Sequence, residues 1–274
     1  MDEKSKSILS VRNLKTYFLS GSGYVVKAVD DISLDIKRSC ITAVVGQSGS
    51  GKSVTAMSIL RLIDSPGHII GGEILFEGTD LLKLSEKEKN KIYGNEISVI
   101  FQEPMSALNP VVKIKKQMME IFTLHKNSMN MQKAEAYNIC VNALKKVNLK
   151  EAEAIMEKYP FELSGGMCQR VMIAMAIVSG AKLLIADEPT TALDLTVQAV
   201  VLDELKRLKE EDGMSVMLIT HDLGIVAQMA DYVYVMHNGK IVESGDVFSI
   251  FDNPVHDYTK TLIGAAKAKE RPVV

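Results

Sequence analysis

Four short apolar runs constrain this fold more than any other feature: Ile41–Val45, 97–101, 183–186 and 216–219. Continuous rather than alternating, they read as strands buried on both faces, as in a parallel sheet. Segments with helical spacing or composition separate them, which predicts an α/β architecture. Each run also stops at residues with no packing task. The first runs into a Gly/Ser loop, the second into Gln102, the third into Asp187-Glu188 and the fourth into Thr220-His221. Ligands of open parallel sheets bind beyond the carboxyl ends of the strands. These polar groups are therefore expected on one edge.

The rest of the chain is expected to build around that sheet. The first 40 residues read as short β-type pieces broken by Ser20-Gly21-Ser22-Gly23. Alternation over 32–36 predicts a half-buried strand, and 71–78 predicts another between glycines. From about 105 to 158 the spacing of Ile114, Met118, Ile121 and Phe122, then of Val141, Leu144 and Val147, predicts a helical insertion. Asn238-Gly239 signals a hairpin, and 267–274 reads as a frayed tail.

Composition excludes several function classes. With 47% apolar and 24% charged residues, the chain can bury a core and is neither disordered nor fibrous. Lys and Arg number 32 against 34 Asp and Glu, a net charge of −2. That balance lacks the basic excess that nucleic-acid binding demands, so no nucleic-acid partner is expected. Cys40, Cys140 and Cys168 fit neither a disulfide framework nor a CxxC metal spacing, which suits a reducing cytoplasm. The N-terminus carries no secretory apolar segment. The longest apolar stretch, 171–178, is far below the roughly 20 residues a bilayer needs. The expectation is a chain that does not cross a membrane by itself.

The segment Gly46-Gln47-Ser48-Gly49-Ser50-Gly51-Lys52-Ser53 fits G-x-x-x-x-G-K-[ST] between a strand and a predicted helix over 52–63. Glycines let backbone N–H groups approach phosphate oxygens, and the new helix adds its positive end. Lys52 would neutralise the β and γ phosphates, and the Ser53 hydroxyl would ligate Mg²⁺. Asp187 suits the metal's hydration shell, and Glu188 would orient or deprotonate an attacking water. Ordinary acidic caps on a solvated strand end are the plainer alternative for that pair. His221 would reach the γ-phosphate. Ser164-Gly165-Gly166 at a helix start offers a second anion-binding end. The two phosphate devices are far apart in the chain, so a second copy docked head to tail would let one nucleotide meet both.

In order, the phosphate loop, Gln102-Glu103-Pro104, Leu163-Ser164-Gly165-Gly166, Asp187-Glu188, Ala192-Leu193-Asp194 and His221 resemble the nucleotide-binding subunit of ABC transporters. The resemblance spans nearly the whole chain. It implies a P-loop NTPase (RecA-like) core with an antiparallel β subdomain and an inserted α-helical subdomain. The nucleotide-binding domain would cover 8–252, its helical insertion about 104–172, and a short C-terminal extension 253–274. It further implies a dimer that sandwiches two ATP molecules. Gly46, Ser48, Gly49, Ser50, Gly51, Lys52, Ser53 and Val54 would hold one ATP, and the other chain's Ser164, Gly165 and Gly166 would close on it. Asp194 would cross the interface. Phe18, with Tyr17 next, would stack on adenine. Ser53, Gln102 and, through water, Asp187 would hold Mg²⁺, and Gln102 would link the metal to the helical insertion. Catalysis would rest on Glu188, His221 and Lys52.

Finer wording resembles the importer branch for dipeptides, oligopeptides or nickel. It includes Gln102 to Pro110, Leu163-Ser164-Gly165-Gly166-Met167, Asp187 to Asp194 with Thr196-Val197-Gln198, and Pro254-x-His256-x-Tyr258-Thr259. Peptide uptake is the leading expectation and nickel the second. Related ATPases that act on DNA or ribosomes carry fused halves or a long coiled-coil insertion, and this chain has neither. The partners implied are a paralogous second ATPase, two integral membrane permease subunits and, indirectly, an extracellular solute-binding protein. The location implied is peripheral, on the cytoplasmic face of the membrane. Two departures stand out. Cys168 occupies a position that is usually Arg in this branch, and a neutral packing role is expected for it. No cysteine follows it, so the iron–sulfur cluster of many peptide-importing relatives is not expected.

Overall fold

The computed structural model describes residues 7–19, 21, 23–124, 132–191 and 193–269. The chain begins with β1 (Ser7–Leu19), β2 (Val25–Lys37), β3 (Ile41–Val45), α1 (Lys52–Leu60), β4 (Gly67–Phe76) and β5 (Thr79–Asp80). It continues with α2 (Glu86–Ile92), β6 (Ile97–Ile100), α3 (Pro104–Ala107), α4 (Ile114–Leu124), α5 (Lys133–Lys146), α6 (Ala152–Met156) and α7 (Gly165–Ser179). Then follow β7 (Leu183–Asp187), α8 (Leu195–Glu211), β8 (Ser215–Thr220) and α9 (Leu223–Met229). The chain closes with β9 (Tyr232–His237), β10 (Lys240–Asp246), α10 (Val247–Asp252) and α11 (Asp257–Lys269). One unit comprises Met1–Ser85 with Ser215–Val274, the other Glu86–Met214.

The first unit holds an antiparallel sheet in the order β2-β1-β4-β5. β1 and β2 are 13 residues each, not the short pieces that the sequence suggests. Register shifts interrupt their pairing, one between Val11 and Leu14, and Asn13 there takes φ 48. A bulge reverses which side chains face inward, so a long strand loses its continuous alternation in sequence. β3 pairs parallel with both β8 and β9, and β9 turns back antiparallel into β10. β3 is buried along its whole length, as its unbroken apolar run requires. Val226, Val233, Val235, Val247 and Ile250 form a core with Ile263 of α11.

Several boundaries differ from the sequence reading. α1 stops at Leu60 instead of residue 63, because Arg61 takes the left-handed cap conformation (φ 58) and ends the helix. The strand expected over 71–78 begins at Gly67 and ends at Phe76. The run expected over 97–101 ends at Ile100, and β7 extends one residue further to include Asp187. The tail expected to fray from residue 267 is helical through Lys269, with Leu262 and Ala266 packed against the core. Ser20, Ser22, Ala192 and 270–274 lie outside the described residues.

In the second unit β6 and β7 run parallel, in register from Ile97↔Leu183 to Ile100↔Ala186. Helices α3, α4 and α5 pack on α7. Because 171–178 is apolar around its whole circumference, α7 is a helix that must be surrounded. Ile114 and Met118 of α4 are completely buried, as their spacing predicts. Among the described residues no helix is long and apolar enough to cross a membrane.

Candidate nucleotide site

In the first unit, β3 and β8 are in register at Val45↔Thr220. Gly46 and His221 therefore emerge side by side. The loop from Gly46 wraps around the Lys52 ammonium, which donates to the carbonyls of Gly46 (2.8 Å) and Gln47 (3.1 Å). The lysine is only 6% exposed. Gly46 and Gly51 sit at φ 154 and φ 104, and a Cβ on either would run into the carbonyl of Met236 or Ala28. Only glycine permits both that backbone and that approach. The Gly239 N–H donates to the Ser50 carbonyl (3.0 Å), so the β9–β10 turn braces the loop from behind. No side chain caps α1, so its first-turn N–H groups face an anion position with the helix's positive end. Ser48 and Gly49 are exposed at the loop's tip, while Ser53 and Val54 are half-buried at the start of the helix.

The two aromatic candidates differ in their engagements. The Tyr17 hydroxyl donates to Asp30 (2.5 Å), and Lys27 lies over its ring, 5.4 Å from the centroid. That hydrogen bond holds the Tyr17 phenol above its ordinary pKa and the Asp30 carboxyl below its own. Phe18 is half-buried, its ring edge against Gly67.

In the second unit, the register Ile100↔Ala186 brings Gln102 out beside Asp187 and Glu188. Asp187 is buried as the last residue of β7. Glu188 follows it at φ 50, left-handed backbone that costs a bulky residue roughly 1–2 kcal/mol. Two neighbours hold it there. The Thr191 hydroxyl donates to Glu188 Oε2 (2.7 Å), and the Gln169 amide donates to the carbonyls of Glu188 (3.3 Å) and Pro189 (2.6 Å). Sequence reasoning passed over both. The available signal was a polar Gln169 at a helical position beside an apolar run, and such a residue needs buried partners. Gln169→Leu should remove both of these donated hydrogen bonds, at about 0.5–1.5 kcal/mol each. The expected result is a lowered unfolding midpoint in urea together with a several-fold lower kcat. A kcat that stays at the wild-type value would remove Gln169 from positioning Glu188.

The start of α7 is open. Ser164 caps it, accepting from the Met167 N–H (3.3 Å), and a Cβ on Gly165 would meet nothing within 4 Å. Cys168 is buried, its thiol donates to the Pro160 carbonyl (3.4 Å), and burial raises its pKa. It packs. Asp194 caps α8 by accepting from the Val197 N–H (3.0 Å). Burial lowers the pKa of Arg170 in α7, against the charge of Asp194.

The groups expected to hold a metal share one donor chemistry. A Ser53 hydroxyl, a Gln102 amide oxygen and an Asp187 carboxylate are hard oxygen donors, the set that Mg²⁺ takes alongside phosphate oxygens and water.

A phosphate loop closed over its own lysine and parallel strands ending in Gln, Asp-Glu and His define the class. The ABC transporter family profile matches residues 29–191, and the chain belongs to that family. Its fold is the ATP-binding cassette: a P-loop core, an antiparallel β subdomain and a helical subdomain. It aligns with a dimeric post-hydrolysis structure of the ATP-binding cassette MJ0796 bound to ADP and Pi. The TM-score is 0.79 at 26% identity, covering 87% of this chain and 98% of that one.

Within the family it falls among peptide-transport ATP-binding proteins. It is 48% identical over 258 residues to the oligopeptide transport ATP-binding protein AppD of Bacillus subtilis (strain 168), covering 94% of this chain and 77% of AppD. Over 272 residues it is 48% identical to the peptidoglycan transport ATP-binding protein YejF of Agrobacterium fabrum (strain C58). There it covers 99% of this chain but spans only 49% of YejF.

Proposed function

We propose that this chain is the ATP-hydrolysing subunit of a peptide importer, one member of a head-to-tail pair of ATPases beneath two membrane permease subunits. The observation that carries the reading is the buried Lys52 ammonium inside a glycine loop at an uncapped helix start. Dipeptides or oligopeptides are the cargo, in keeping with the relatives' names. Nickel gains no support from those names. The domain would span 8–252, with its helical insertion at about 104–172 and the extension at 253–274. The chain would sit peripherally on the cytoplasmic face of the membrane, reached by a solute-binding protein only through the permeases.

ATP phosphates would lie on the N–H groups of Ser48 to Val54, with Lys52 between the β and γ groups. Phe18 would stack on adenine, since Tyr17 is tied to Asp30 and covered by Lys27. Ser53, Gln102 and, through water, Asp187 would hold Mg²⁺, which would neutralise negative charge on the phosphates. Glu188 would take the proton of the attacking water, and His221 would hydrogen-bond the γ-phosphate. The products are ADP and phosphate. Ser164, Gly165 and Gly166 would grip the ATP of the neighbouring subunit, with Asp194 at the contact. ATP drives closure only through its greater affinity for the closed pair.

Gly165→Glu tests the shared site. The open space at Gly165 admits the side chain, and an acid in a helix's first turn suits the dipole, so the protein should fold. The carboxylate would face a neighbour's γ-phosphate, and like charges in contact cost several kcal/mol. Expected are ATP affinity of the monomer within two-fold of wild type, loss of the ATP-bound dimer in light scattering, and turnover at least 100-fold lower. An intact dimer with normal turnover would remove these residues from the nucleotide sandwich.

A further inference from the structure

The segment Pro254-x-His256-x-Tyr258-Thr259 has no role in the reading so far, yet it reaches the phosphate loop. The Gln47 N–H donates to the Tyr258 hydroxyl (3.0 Å). On its other side the same peptide unit, Gly46–Gln47, is fixed through the Gly46 carbonyl, which accepts from Lys52 Nζ (2.8 Å). Gln47 is exposed, so without the tyrosine its N–H would turn to water and the peptide plane would be held from one side only.

Tyr258 is itself held from three directions. His237, the last residue of β9, stacks on its ring with centroids 3.9 Å apart and planes 28° from parallel. The chain leading into α11 is clamped by Glu243, whose two carboxylate oxygens accept the N–H groups of Val255 (2.8 Å) and His256 (3.0 Å). Burial of Glu243 raises its pKa, but these donors and Thr259 outweigh it, so the carboxyl stays below its ordinary value and charged at neutral pH. Farther along, Ile263 is 4% exposed in the core with Val233 and Val235. The hydroxyl thus stands on a fixed platform.

We infer that Tyr258 is a positioning residue for nucleotide binding: the C-terminal extension sets the Gln47 peptide, and with it the Lys52 cradle, before ATP arrives. A loop ordered beforehand loses less conformational entropy when ligand binds. The effect belongs to affinity for phosphate, not to the hydrolytic step, because Tyr258 contacts no group assigned to activating water. The inference rests on the ATP-binding role proposed above and adds to it a source of affinity outside the loop.

The test compares two variants of the full chain by titration with a non-hydrolysable ATP analogue, by steady-state ATPase kinetics and by thermal unfolding. Tyr258→Phe keeps the ring and its stack on His237 and removes only the acceptor. Ile263→Ala loosens α11 without touching the loop. Expected for Tyr258→Phe are a three- to ten-fold higher Kd and KM for ATP, kcat within two-fold, and an almost unchanged Tm. Ile263→Ala should lower Tm with a smaller effect on Kd. Unchanged Kd in a folded Tyr258→Phe protein, or Kd values that track Tm across both variants, would overturn the inference. Failure of the wild-type chain to bind the analogue would instead strike the ATP-binding reading.

Discussion

Glu188→Gln is expected to lower steady-state phosphate release at least 100-fold while ATP affinity stays within about three-fold of wild type. A positioned general base contributes about 10²–10⁴ in rate, and this substitution removes the basicity with little else. The amide oxygen can accept the Thr191 hydroxyl as Oε2 does at 2.7 Å. The Gln169 bonds go to backbone carbonyls that the substitution leaves alone. Even the unfavourable φ of 50° is shared by both residues. With binding intact and turnover stopped, the ATP-bound pair should accumulate and be visible by size exclusion with light scattering. Unchanged phosphate release would take Glu188 out of the proton transfer.

Lys52→Ala should fail at the earlier step. The ammonium is buried, it donates to the Gly46 and Gln47 carbonyls, and it would be the charge facing the phosphates. A hydrogen bond to a charged group is worth about 1.5–3 kcal/mol, or about 10- to 100-fold in affinity at 1.4 kcal/mol per decade. Calorimetric titration with ATP should show at least that loss, since the two loop carbonyls also lose the ammonium as a donor. Lys52→Met keeps most of the apolar stem and should bind ATP as poorly, which separates charge from packing. Equal ATP affinity in wild type and both variants would contradict the assignment. Together the two results would divide the site: Glu188 would govern turnover with ATP held, and Lys52 whether ATP is held.

Much of this was legible without coordinates. Buried parallel strands leave long apolar runs, and the loop motif is contiguous, so β3, β7, β8 and the span from Gly46 to Ser53 could be read directly. Ser164 is legible for the same reason, at the start of a helix, whereas the capping of α8 by Asp194 emerged only from the structure. The antiparallel sheet was read only in part, because bulges in β1 and β2 break the period of two that would have revealed 13-residue strands. α1 ran past its true end in the sequence reading because Leu62 and Ile63 continue its apolar pattern beyond the Arg61 cap.

The sequence by itself determined which polar residues close the apolar strands and which loop follows β3, and so which groups would meet phosphate, metal and water. Those features are local, set by side-chain type and by spacing within one turn or one strand. The tertiary structure decided what holds these groups in place. Gln169 reaches the Glu188 carbonyl across 19 residues, and the Tyr258 hydroxyl meets the Gln47 N–H across 211. A hydrogen bond between distant segments leaves no period in either one. It forms only when the packing of apolar faces brings the two together.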